Sequence, residues 1–196
     1  MNEKIIGKLE RETQNRVIQL FQKELGYEYL GNWEEQPRSI PVEEDLLQNH
    51  LIKRGYSETL TRKATEKFVK AASNIAIGLY ESNKEAYKLL RYGVNVREEL
   101  GEAKETVFLI DWYDPENNEF AVAEEVTFLG KHNKRPDVVI YVNGIALGVI
   151  ELKRSKVSLT EGIRQNLDNQ KDMFIPKFFT TMQLVMAGND TQGLRY

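Results

Sequence analysis

The chain has 196 residues, of which 41% are apolar and 29% charged, with a net charge of −3; collagen-like and disordered classes are excluded. Cysteine is absent, which removes disulfides, thiolate catalysis and cysteine-ligated zinc together. No apolar run reaches the roughly 18 residues of a membrane span, and the opening MNEKIIGKLERETQ lacks a secretory pattern.

The first predicted element is a helix from about Leu9 to Leu25. Val17, Ile18, Leu20, Phe21 and Leu25 lie on a helical stripe, and Gly26 follows as a terminator. Residues 31–42 carry Gly31, Pro37 and Pro41 and read as a loop. A helical block runs from Glu43 to about Leu90. Leu46, Leu47, Leu51 and Ile52 form one stripe; Leu60, Ala64, Phe68, Ala71, Ala72, Ile75 and Ile77 form another, with Gly55 and Gly78 as punctuation. After Gly93 the period shortens. Val107–Trp112 is a strand candidate, Asp114-Pro115 and Asn117-Asn118 mark a turn, and Phe120, Val122, Val126 and Phe128 alternate like a half-buried strand. Asp137–Val142 and Ile145–Lys153 are apolar runs joined at Asn143-Gly144, a hairpin signal. A helix over Thr160–Met173 and a strand over Gln183–Ala187 complete the order. That order predicts one α/β domain over 1–196, with a mixed sheet and a helical elaboration at about 43–92, rather than a doubly wound fold.

Charge is uneven along the chain. Residues 1–130 hold 17 basic and 24 acidic side chains; residues 131–177 hold 9 and 5. A nucleic-acid partner would therefore meet one local face. A lysine-rich solvated surface explains the same numbers. No Walker A sequence occurs, since Gly7-Lys8 and Gly130-Lys131 are followed by Leu9 and His132. His50 and His132 stand in no metal-ligating spacing.

The informative stretch is Arg135-Pro136-Asp137, thirteen residues, then Glu151-Leu152-Lys153. Residues 151 and 153 of one strand share a face, and charges in an apolar run cost free energy unless paired, exposed or bound to metal. Two carboxylates can hold Mg²⁺ while leaving room for water and a phosphate oxygen. A lysine beside them can orient the water or offset charge in the transition state. An exposed Glu151–Lys153 pair at a strand end is the other reading. Hairpin parity tests the two. A two-residue turn pairs Val142 with Ile145, sets Asp137 against Ile150 and turns Glu151 away. A three-residue loop, Val142-Asn143-Gly144 with Gly144 left-handed, brings 137 and 151 to one face. A shared site thus requires the bulged turn, or a bulge elsewhere.

The chain resembles the N-terminal nuclease domain of the restriction (R) subunit of type I restriction–modification enzymes, members of the PD-(D/E)xK superfamily. The likeness includes Gly26-Tyr27, Asn83 through Tyr87 to Gly93-Val94, and Ile110-Asp111-Trp112 with Asn118 and Phe120. It peaks at RPDVVIYVNGIALGVIELKRS, residues 135–155, and continues in GIRQNLDNQ, residues 162–170. The resemblance implies a restriction-endonuclease-like mixed sheet flanked by helices, with a helical insertion. It implies Asp137 and Glu151 as metal-binding acids for Mg²⁺, Lys153 as the catalytic lysine, and Gln165 as the glutamine of a Gln-x-x-x-Tyr motif. Asn169 stands at that motif's tyrosine, a departure that removes any ring-stacking role; sharing a helix face with Gln165 at i,i+4, it either keeps a polar DNA or active-site contact or is a solvated face. Members of the superfamily often add an acid from the first helix; Glu10 takes that place, with Glu12 next.

The same resemblance implies a fragment of a longer cytoplasmic subunit whose motor domains bind ATP and translocate double-stranded DNA. Its companions would be methyltransferase and specificity subunits, with no membrane. A catalytically silent DNA-binding module and a stand-alone nuclease of the same superfamily are the alternatives.

Overall fold

A computed structural model describes residues 3–196, with side chains from residue 11 onward. Six strands form a mixed sheet: β1 (Glu28–Asn32), β4 (Phe120–Glu124), β5 (Val138–Val142), β6 (Ile145–Leu152), β7 (Leu184–Asn189) and β8 (Gly193–Arg195), adjacent in that order. β1 runs parallel to β4 and β6 parallel to β7; the other neighbours are antiparallel. With five helices around this sheet, the mixed α/β class expected from the sequence is observed. No helix among the described residues is long and apolar enough to cross a membrane.

Helix α1 (Glu3–Lys23) covers one face of the sheet. Ile18 and Phe21 pack there against Val122, Val138, Ile150, Leu152 and Met186. Side chains of the opposite parity, among them Ala123, Val139, Tyr141 and Val149, meet Ile175, Phe178 and Phe179 on the other face. Helix α5 (Leu159–Asn169) lies on that second face. It comes close because residue 162 is glycine: a Cβ there would stand 2.9 Å from the Ala187 Cβ and 3.3 Å from the Lys153 Cγ.

The helical block comprises α2 (Glu44–Lys53), α3 (Glu58–Ser73) and α4 (Leu79–Tyr92). It builds its own core with Val107, Leu109, Ile110 and Ile145. Asn83 fastens it to the rest of the molecule, its Nδ2 donating to the carbonyls of Phe179, Thr180 and Met182.

Four boundaries differ from the sequence expectation. The segment read as a loop from Gly31 begins inside β1, so the sheet starts at Glu28, ahead of the helical block, and ends with β8 beyond the last expected strand. The strand expected over Val107–Trp112 is confined to β3 (Glu105–Val107), which pairs with β2 (Val94–Val96) in a separate ribbon. Leu109 and Ile110 beyond it are buried in the core of the helical block rather than laddered. Val126 and Phe128 lie past the end of β4, and α5 stops at Asn169 instead of Met173. For Leu109, Ile110, Val126 and Phe128 the apolar run is buried by tertiary contacts that a periodicity does not carry.

Candidate functional site

The β5–β6 hairpin decides where the acids point. Asn143 and Gly144 both have positive φ, 52° and 79°, the signature of a tight two-residue turn, and Val142 faces Ile145. The turn is thus the two-residue form, not the three-residue loop. The register then shifts: Tyr141 faces Ala146 but Ile140 faces Gly148, leaving Leu147 as an extra residue. Beyond this bulge Val139 faces Val149 and Val138 faces Ile150, so Asp137 and Glu151 come to the same sheet face. The parity condition is met by a bulge elsewhere. The turn itself cannot slip, because Asn143 is buried, donating to Leu109 O and Asn118 Oδ1 and accepting from the Glu119 N–H. A Cβ on Gly144 would stand 2.7 Å from the Glu43 carbonyl.

On this face the predicted residues converge. Lys153 Nζ donates to Glu151 Oε1 at 2.7 Å and to Gln165 Oε1 at 2.8 Å, so β6 and α5 meet through one ammonium. The Leu152 N–H donates to Asp137 Oδ2 at 2.6 Å, which fixes the second carboxylate to the end of the same strand. Glu151 is 2% exposed and the Lys153 side chain 16%, so the pair is not a surface one. Burial, and then the neighbouring charge of Glu151, push the Asp137 carboxyl up to about 8. Burial disfavours the charged form of Asp137, and the negative charge of Glu151 adds to it against the opposing pull of Lys153.

The other predicted residues divide. Asn169 is buried at 2% exposure rather than solvated, and its backbone carbonyl accepts from the Ile175 N–H. The side chain of Glu10 lies outside the described residues. Glu12 is exposed on α1.

A buried network behind Asp137 escaped sequence reasoning. Glu124 at the end of β4 is 4% exposed and accepts from Arg11, Gln14 and Tyr29 at 2.8–2.9 Å. Burial, reinforced by the Glu124 hydrogen bond, pushes the Tyr29 phenol up to about 12, keeping it a donor. Next to it Glu125 adopts a left-handed φ of 53°, donates its N–H to the Asp137 carbonyl and pairs with Arg135. A non-glycine residue in that region stores strain that its surroundings must hold. The only sequence signal for this cluster was the acid pair ending an apolar strand. Gly162 was visible as a glycine inside a helical pattern, which marks a close approach.

The fold is thus a mixed α/β sheet carrying two carboxylates, an ammonium and an amide on one face. A family model described as type I restriction enzyme R protein N terminus matches residues 7–196, and the chain belongs to that family. It is 29% identical over 189 residues to a Methanocaldococcus jannaschii protein provisionally named the MjaIXP endonuclease subunit of a type I restriction enzyme, covering 90% of this chain and 18% of that one. It is 35% identical over 136 residues to the type I restriction enzyme HindI endonuclease subunit of Haemophilus influenzae, covering 65% and 13%. The chain therefore spans less than a fifth of the length of these relatives.

Proposed function

We propose that this chain is the endonuclease module, one domain over 1–196, of a type I restriction–modification R subunit, hydrolysing phosphodiester bonds in double-stranded DNA. What carries the reading is the convergence of Asp137, Glu151, Lys153 and Gln165 on one sheet face, in a chain whose relatives are named as endonuclease subunits. Among the described residues no group of three or more His, Asp or Glu side chains gathers around one point. The donor set is a pair. That suits Mg²⁺, which commonly binds through one or two carboxylates and keeps several waters, and the raised Asp137 carboxyl marks a site where a cation would relieve repulsion.

Asp137 and Glu151 would hold the ion. When bound, it supplies Lewis acidity at the phosphodiester. Lys153 offers a fixed positive charge to the attacking water or to the charge that develops on phosphate, and Gln165 keeps the ammonium from swinging away. ATP-driven translocation and the methyltransferase and specificity subunits would come from outside these 196 residues, in a cytoplasmic complex.

The test is Asp137→Ala and Glu151→Ala in the complete subunit, assembled with its partners. DNA cleavage should be abolished while ATP hydrolysis and translocation persist; cleavage near the parental rate in both variants refutes the assignment. A catalytically silent DNA-binding module is the second reading, favoured by Asn169, which is buried where the family tyrosine stands. Calorimetric titration with Mg²⁺ separates the two, since a silent module has no need to bind the ion between two acids.

A further inference from the structure

A cavity of about 600 Å³ opens where the ends of α2 and α4 meet the segment 108–113, lined by Arg54, Tyr56, Arg91, Phe108, Asp111 and Trp112, with Tyr92 and Tyr113 at its edge. None of these residues belongs to the acid–lysine cluster. The volume lies within the usual 300–1,000 Å³ of small-ligand sites. Its rings are left uncovered: Trp112 is 44% exposed, Phe108 47%, Tyr92 69% and Tyr113 fully. These rings line one cavity, so a ligand entering it meets several of them together.

The rings are also held in place. Trp112 Nε1 donates to the Leu90 carbonyl at 2.8 Å, and the Tyr56 hydroxyl accepts from the Phe108 N–H at 3.1 Å. The indole is fixed by its edge while 44% of the residue stays exposed. Charge then selects the kind of ligand. Asp111 is saturated by Arg54 at 2.8 Å, by the N–H groups of Tyr113 and Asp114 and by Asn117 Nδ2, so it has no room to recruit a cation. Arg91 stands over the Trp112 ring at 5.5 Å and, among the described residues, joins no ion pair. An exposed indole beside a guanidinium that has no carboxylate partner among the described residues suits a planar ring that carries an anion. An aliphatic ligand would use neither.

We propose that the cavity formed by Trp112, Phe108, Tyr56 and Arg91 binds a nucleobase carrying a phosphate, with the base against Trp112 and the phosphate at Arg91. This assigns a role to Ile110-Asp111-Trp112 that the acid pair does not use. The source is a free nucleotide or an unpaired nucleotide of a DNA strand, and the two are separable. A labelled short oligo(dT) is titrated with the full chain in EDTA and excess unlabelled duplex, and anisotropy is read. Saturable binding is expected. Thymidine monophosphate that competes identifies the free nucleotide as sufficient; failure to compete identifies the strand.

Trp112→Ala and Arg91→Ala should each weaken binding, the stacking loss amounting to about 5- to 150-fold, while Trp112→Phe keeps a ring and most of the affinity. If Trp112→Ala fails to fold, the exposed positions Arg91→Ala and Tyr113→Ala decide. Absence of saturable binding, equal competition by inorganic phosphate, or parental affinity in the exposed variants overturns the proposal.

Discussion

Replacing Lys153 with methionine keeps the length of the side chain and its apolar stem against Gly162, where Cγ and Cε approach α5. It deletes only the ammonium. Two hydrogen bonds vanish, to Glu151 and to Gln165, and a carboxylate with 2% exposure loses its lysine beside a second acid. Removing one member of a buried pair typically costs about 3–5 kcal/mol. The lysine side chain retains 16% exposure, so water partly screens it, and the lower end, about 3 kcal/mol, is expected. Against a net stability of about 5–15 kcal/mol that is a large loss.

The assay is urea unfolding of the metal-free parent and Lys153→Met at about pH 8 and again at about pH 5. At the lower pH Asp137, whose carboxyl is held up to about 8, is protonated. Repulsion on Glu151 falls, and the deficit of the variant should shrink. A deficit under about 1 kcal/mol at the higher pH, the size expected of an exposed pair, would refute the buried-pair reasoning. So would a deficit that grows on acidification.

Three further outcomes follow from the same geometry. The Asp137 carboxyl is raised in the folded chain to about 8, against about 3.9 unfolded. Folding of the metal-free protein therefore takes up a proton between those values, and stability falls as pH rises through that window; urea midpoints across it should show the slope in the parent and lose it in Asp137→Asn. Gly162→Val drives carbon into Ala187 and the Lys153 stem, which should cost about 1–3 kcal/mol by overpacking and be read as a lowered melting temperature, with cleavage falling as Gln165 is displaced. Asn143→Ala leaves the Glu119 N–H and the Leu109 carbonyl without their partner in a buried turn; about 2–4 kcal/mol of destabilisation is expected in urea unfolding, whereas a change under about 0.5 kcal/mol would show that the turn does not depend on its amide.

Local pattern by itself determined the helices: Leu47, Leu51, Leu60, Ala64 and Phe68 of the expected stripes are buried, whereas Leu20, Leu25, Ile52 and Ile77 are exposed. It also determined the hairpin at Asn143-Gly144, where positive φ at both positions follows from residue type. The long correspondence around residues 135–155 and 162–170 determined the family. Other features were decided only by the tertiary structure. Gly31 and Asn32 read as the start of a loop, yet they ladder with Ala123 and Glu124 of β4. Val107–Trp112 reads as strand, yet Leu109 and Ile110 find burial among helices instead. Asn169 shares a helix with Gln165 but is buried, because α5 is pulled onto β7 at Gly162. The face of Glu151 hung on one residue. Side chains alternate with a period of two, so the extra Leu147 reverses everything beyond it. Whether a bulge forms there depends on what Leu147 and its neighbours pack against, an energy that belongs to the assembled core rather than to any local run of residues.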